Sequence, residues 1–222
     1  MTKLKKIRKV LFVQKPQLLE QQIPEVTEIL GKNLVDLDLS FASSPHEVEQ
    51  GSKFDAIITP TVPWLPKLLS CIDCYHWIHF LSAGIDKIWE MEFDKETSLL
   101  TKSSGVHGPP MSEYAIGAML YFAKQFGRFK EQGDNRLWQR MWLDELTRKK
   151  LAILGLGSVG QAIAIRAKSF DMEVWGISRH LRPVSHVDKV MSMHDLRDNV
   201  SQVDYLVICL PLTHDTRNLI DE

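Results

Sequence analysis

One stretch constrains this chain more than any other: Leu151-Ala152-Ile153-Leu154-Gly155-Leu156-Gly157-Ser158-Val159-Gly160-Gln161-Ala162-Ile163-Ala164. Gly155, Gly157 and Gly160 spell G-x-G-x-x-G between an apolar run and an amphipathic one. The glycines therefore fall at the corner where a strand turns into a helix. The first permits a tight turn, the second lets the backbone approach a pyrophosphate, and the third lets helix and strand pack closely. With Leu156, Ser158 and Val159 between them, free N–H groups and the positive end of the helix face the phosphates. The plainer alternative is a glycine turn with a structural role only.

About twenty residues further on, a domain that prefers NAD places a carboxylate for the ribose hydroxyls. Here the next strand, Glu173-Val174-Trp175-Gly176-Ile177, runs into Ser178-Arg179-His180-Leu181-Arg182. No acid stands there, and two guanidinium groups do. An acid would repel a 2′-phosphate and a planar cationic fork would hold it, so Ser178, Arg179 and Arg182 are read as an NADP site, with NAD possible. A solvated basic turn is the alternative.

The remaining composition narrows the class. Among 222 residues, 27 Lys and Arg stand against 28 Asp and Glu, a net charge of −1. That leaves no basic excess for a nucleic-acid backbone. The longest apolar stretch, Tyr114 to Ala123, is about half of a membrane span, and the start Met-Thr-Lys-Leu-Lys-Lys lacks an apolar signal core. A cytoplasmic protein with no membrane partner is expected. Cys71, Cys74 and Cys209 make no disulfide framework. The C-x-x-C of Cys71 and Cys74 has no second pair for zinc and is read as two inert thiols, with no metal site.

Short apolar runs at Val10–Val13, Leu34–Leu39, Ala56–Thr59 and Trp77–Leu81 alternate with helical or loop segments. Such runs are what strands buried on both faces look like, and their alternation with helices implies a parallel sheet. Pro24 is placed in a first helical turn, Gly31 at a helix stop, and Pro45–Lys53 in a short helix. Turn chemistry is densest at 103–111, read as a hinge, after which Ser112 is expected to cap a helix from Glu113 to about Arg128. A second alternating unit follows, with strands at Leu151–Leu154, Met172–Ile177 and Tyr205–Leu210 and a helix from about Val159 to Ser169.

Four motifs in order now carry a resemblance: Leu81-Ser82-Ala83-Gly84-Ile85-Asp86, then Gly105-Val106-His107-Gly108-Pro109-Pro110-Met111-Ser112-Glu113, then the glycine corner, then Leu210-Pro211-Leu212-Thr213-His214-Asp215-Thr216-Arg217-Asn218-Leu219-Ile220. From about residue 54 onward the chain resembles the D-isomer-specific 2-hydroxyacid dehydrogenases, especially their glyoxylate and hydroxypyruvate reductase branch. The resemblance implies an α/β fold of two doubly wound parallel-sheet domains. Residues 1–103 would form a flavodoxin-like substrate domain, and residues 104–222 a Rossmann NAD(P)-binding domain incomplete at its C-terminus. It implies that Ser82, Ala83 and Gly84 hold a substrate carboxylate through backbone N–H groups. Leu210, Pro211 and Thr216 would lie along the cofactor and Met111 near its nicotinamide half. Trp64, after Pro63 in a loop, is a candidate lining residue for the substrate cleft. Departures are confined to loops: Thr147-Arg148-Lys149-Lys150 stands where the family has a glycine before the corner, and Asp171 replaces another glycine.

Hydride transfer to a small 2-keto acid also needs a cation for the carboxylate and an acid/base oriented by a carboxylate. In the family these are an Arg, a His and a Glu downstream of the Leu210–Thr213 segment, so no catalytic residue is expected among these 222 and the chain alone should be inactive. Among eight histidines only His107 is placed near the expected cleft, and it is read as a loop residue. His214 is read as a solvated turn residue. The Tyr205–Leu210 strand would form an open edge inviting association, and the family dimerises through the start of its cofactor domain, so a homodimer is expected. A non-catalytic nucleotide-binding or dimerisation module is the alternative. An adenosylmethionine-dependent enzyme is disfavoured by Leu210-Pro211-Leu212-Thr213 and the two arginines.

Overall fold

The computed structural model describes residues 7–33 and 36–220. The chain divides into two compact units, residues 1–104 and 105–222.

The first unit runs β1 (Lys9–Val13), α1 (Pro16–Asn33), β2 (Asp38–Ala42), β3 (Ser52–Lys53), β4 (Ala56–Thr59), α2 (Leu65–Leu69), β5 (Ile72–Cys74), β6 (Trp77–Phe80) and β7 (Leu99–Lys102). Its main sheet has the order β2-β1-β4-β6-β7 with every pairing parallel. Val10 to Val13 are all buried, as befits a strand covered on both faces. Leu11, Val13, Ile57, Leu65, Leu68, Ile78 and Phe80 form the core. The Asp55 carboxylate accepts the N–H groups of Arg8 and Lys9, each at 2.9 Å, and so ties the start of β1 to the approach to β4.

Several expectations for this unit need correction. Pro16, not Pro24, opens α1, where a missing N–H costs nothing; the helix continues past the exposed Pro24 and past Gly31. The strand expected at Leu34–Leu39 is Asp38–Ala42, fixed by its register against β1 from Lys9↔Asp38 to Val13↔Ala42. Leu34 and Val35 lie outside the described residues. Pro45–Lys53 is a single 3-10 turn at Pro45–Glu47 followed by β3. The Glu47 carboxylate folds back onto the Ser43 N–H and the Ser43 and Ser44 hydroxyls, which closes the turn locally. The β7 strand was not anticipated.

The second unit runs α3 (Gly108–Ala123), α4 (Phe126–Asp134), β8 (Lys150–Leu154), α5 (Ser158–Lys168), β9 (Glu173–Ile177), β10 (Lys189–Met191), α6 (Met193–Asn199) and β11 (Tyr205–Ile208). The sheet order is β10-β9-β8-β11, again all parallel. Among the described residues β11 is an edge strand. Asp204 repeats the device seen at Asp55, accepting the Lys150 N–H at the start of β8 at 2.8 Å.

The helix expected from Glu113 to Arg128 is two helices, and Ser112 does not cap it. His107 holds the N-cap position, Pro109 and Pro110 sit in the first turn, and the buried Ser112 hydroxyl donates back to the Gly108 carbonyl at 2.6 Å. Much of the 103–111 hinge is therefore the first turn of α3. The break falls at Gln125, whose φ of 51° is left-handed and ends α3. β10 and α6 were not anticipated; a capping box of Ser192 and Asp195 starts α6. Among the described residues no helix is long and apolar enough to cross a membrane.

Candidate functional site

β8 is the strand from which the sheet grows in both directions, so the crevice beyond its C-terminal end lies between Leu154 and the chain leaving β11. This is where doubly wound sheets bind ligands. Gly155 turns there with φ +97°, its N–H donating to the Ile177 carbonyl at 3.0 Å. A Cβ on Gly155 would stand 2.9 Å from the Cys209 carbonyl oxygen. A Cβ on Gly160 would stand 2.0 Å from the Gly155 carbonyl oxygen, so glycine is required for α5 to pack against the turn.

Gly157 differs from both. It is the N-cap of α5 with extended backbone at φ −74°, ψ −166°, and it supplies no side-chain cap. Nothing lies within 4 Å of where its Cβ would be. The packing of the fold sets no bar to a side chain at this position. The first N–H groups of α5 have no acceptor in the helix, so they form a cluster of donors at its positive end. The residues fit a pyrophosphate, which would occupy the space a side chain at 157 would fill.

A cavity of about 730 Å³ opens from this corner. It gathers Gly155, Leu156, Gly157, Ser178, Arg179, Arg182, Leu210, Pro211 and Thr216 from the residues singled out in the sequence. Ser158, Val159 and Gly160 start α5 beside it without lining it, and Met111 stands half-exposed in the first turn of α3, also outside it. Residues that sequence reasoning missed include Gln161, Val184, Met193, His194, Thr213 and Asp215. Gln161 was legible in principle: it lies one turn into α5, and its side-chain amide donates to the Leu156 carbonyl at 2.8 Å, stiffening the glycine corner.

The connection from β9 to β10 that carries Arg179 and Arg182 ends at Asp188. Asp188 accepts the Val174 N–H at 2.7 Å and the Lys168 ammonium at 2.9 Å. Burial alone would push the Asp188 carboxyl up, but these donors hold it below its usual range. Thr216 folds the far wall, accepting the Thr213 N–H at 2.8 Å and donating to the Pro211 carbonyl at 2.6 Å. Burial raises the Cys209 thiol above its usual range, which keeps it neutral beside the corner.

In the first unit Ser82 and Ala83 are half-buried and Gly84 is exposed. The Ser82 and Thr61 hydroxyls are hydrogen-bonded at 3.1 Å, and Lys102 Nζ donates to the Ala83 carbonyl at 2.8 Å. Trp64 caps α2 and packs partly buried against the core. His79 engages hydroxyls through both ring nitrogens, Thr101 at 2.8 Å and Ser103 at 3.1 Å. His214 is exposed, and Cys71 and Cys74 are free thiols. Among the described residues no group of three His, Cys, Asp or Glu could hold a metal ion.

Comparison with known proteins agrees with this geometry. Residues 116–222 match the family model described as D-isomer specific 2-hydroxyacid dehydrogenase, NAD binding domain. A glyoxylate reductase of Pyrococcus horikoshii is 29% identical over 150 residues, covering 64% of this chain and 45% of that protein. The glyoxylate/hydroxypyruvate reductase A HPR2 of Arabidopsis thaliana is 27% identical over 158 residues, covering 70% and 50%. The chain thus spans about half the length of the curated relatives it matches. A D-isomer specific 2-hydroxyacid dehydrogenase family protein from Aeromonas salmonicida superposes with a TM-score of 0.82 at 27% identity, over 96% of this chain and 67% of that one. An NADPH-dependent glyoxylate/hydroxypyruvate reductase of Sinorhizobium meliloti, solved in complex with NADP and sulfate, shares the fold, with a TM-score of 0.76 at 21% identity over 95% and 64%.

Proposed function

We propose that the chain, whose residues 116–222 match the NAD-binding-domain model of the D-isomer specific 2-hydroxyacid dehydrogenases, binds the cofactor and the substrate carboxylate in an oxidoreductase of that family preferring NADPH and acting on a small 2-keto or 2-hydroxy acid such as glyoxylate or hydroxypyruvate. One observation carries the reading: the unfilled space over Gly157 opens into the cavity that also holds Arg179 and Arg182. A bound nicotinamide supplies the hydride. The chain's own residues bind and orient. The N–H groups of residues 157–160 take the pyrophosphate, and Gly155 and Leu156 shape the turn beneath it. Ser178, Arg179 and Arg182 take the ribose 2′-phosphate. Leu210 and Pro211 line the dinucleotide, and Met111 faces its nicotinamide half. Ser82, Ala83 and Gly84 hold the substrate carboxylate, with Trp64 beside the substrate.

Arg179 and Arg182 favour NADPH over NADH because a planar guanidinium can donate two parallel N–H groups to two oxygens of the 2′-phosphate. The NADP-bound fold neighbour is consistent with that choice. The sequence boundaries of 1–103 for the substrate domain and 104–222 for the cofactor domain are retained in this reading. Titration of the protein with NADPH and NADH, read by nicotinamide fluorescence, tests it: NADPH should bind at least about tenfold more tightly, and equal affinities would overturn the preference.

The second reading is a nucleotide-binding or dimerisation module without turnover. Glyoxylate-dependent NADPH oxidation by the 222-residue chain tests the second reading, which a measurable rate would refute. The second unit exposes Tyr114, Phe122 and Phe126, with Trp138 at 99% and Trp142 at 97% exposure. An apolar surface of that extent fits a second copy of the chain in the cytoplasm, and a homodimer is the proposed state. A monomer at all concentrations in sedimentation equilibrium would refute it.

A further inference from the structure

We infer that Lys102 is a positioning residue for the Ser82-Ala83-Gly84 loop, setting the direction in which the Gly84 N–H meets a small carboxylate; this rests on the carboxylate reading of that loop. Strand pairing puts it in place. Lys102 ends β7 directly beside Phe80, the last residue of β6, and the loop leaves β6 immediately afterwards. Its ammonium donates to the Ala83 carbonyl at 2.8 Å.

Across a trans peptide the C=O and the following N–H point in opposite directions. A cation holding the Ala83 oxygen therefore turns the Gly84 N–H to the other side of the peptide plane. It also polarises that peptide and makes the N–H a stronger donor. The loop's other end is held by the hydrogen bond between the Ser82 and Thr61 hydroxyls. The nearby opposing charge is Asp86, whose Oδ2 would lie 3.7 Å from a Cβ on Gly84.

The test is a titration of the ¹⁵N-labelled 222-residue chain with oxalate, following the Ala83 and Gly84 amides. Saturable shifts of both are expected in the wild type. K102M should move the Gly84 amide before oxalate is added and weaken binding about fivefold, while K102R restores most of the affinity. Asp86→Asn should tighten binding. Lys102 is exposed, so K102M should keep the wild-type melting temperature. Equal oxalate affinity of wild type and K102M would overturn the role of Lys102 while leaving the loop reading intact. K102R binding no better than K102M would overturn the claim that a cation on the Ala83 carbonyl is what matters. No shift at Ala83 and Gly84 in the wild type would remove the loop reading and this inference with it.

Discussion

Each unit has a buried inner strand feeding a helix, β1 into α1 and β8 into α5, yet the two corners are built in opposite senses. After β1 the corner is Gln14-Lys15-Pro16 and it is filled. Gln14 is only 6% exposed; its side-chain oxygen accepts the Lys15 N–H at 2.9 Å and its amide donates to Gln22 at 3.0 Å. Pro16 then opens α1 with no N–H to offer. After β8 the corner is Gly155-Leu156-Gly157, with open space where the third residue's side chain would be and α5's first donors beyond it. The scaffold is shared, down to Asp55 and Asp204 pinning the central strands. What differs is whether the chain satisfies its own corner or leaves the donors for a phosphate. A parallel strand-helix turn is therefore not enough for a nucleotide site; the corner must also leave its donors uncovered, as the one after β8 does.

The comparison can be broken most severely at Gly160. Gly160→Val places side-chain atoms on the Gly155 carbonyl and should destabilise the second unit by about 4 kcal/mol or more, seen as loss of its melting transition. Gly157→Ala should do the reverse. Its backbone suits alanine and its Cβ meets nothing, so stability should change by less than about 1 kcal/mol. NADPH affinity should fall by about thirtyfold or more. Arg179→Ala should cost NADPH about 2 kcal/mol of binding and leave NADH nearly unchanged, which calorimetry of both cofactors would read.

The filled corner gives the converse result. Gln14→Ala strips the Lys15 N–H of its partner and should destabilise the first unit by about 1 kcal/mol in chemical denaturation, with NADPH affinity unaltered. The smallest effect concerns Asp188. Its folded-state pKa is depressed, so its contribution is present above the unfolded carboxylate pKa of about 4 and is lost as pH falls through the lower folded value. Asp188→Asn should therefore flatten part of the wild type's acid-induced loss of stability below about pH 4.

The sequence was legible where local chemistry decides the outcome. Gly155, Gly157 and Gly160 sit on the strand-helix corner because each has a steric or ligand reason to be glycine, and Ser178, Arg179 and Arg182 share their cavity because β9 delivers them. It was less legible where a partner strand decides. β2 starts at Asp38 because of its register with β1, and β7 is a strand because Trp77 to Phe80 lie beside it. The split of α3 from α4 rests on one left-handed residue, Gln125, whose side chain gives no local warning of that backbone. Met193 and His194 reach the cavity from α6, a helix too short for periodicity to reveal.

The most direct test compares backbone amides at the two corners. In a ¹⁵N-labelled chain titrated with NADPH, the amides of Gly157, Ser158, Val159 and Gly160 should shift and saturate together, while Lys15 and its neighbours stay still. Saturable NADPH binding that leaves residues 157–160 unmoved would contradict the account.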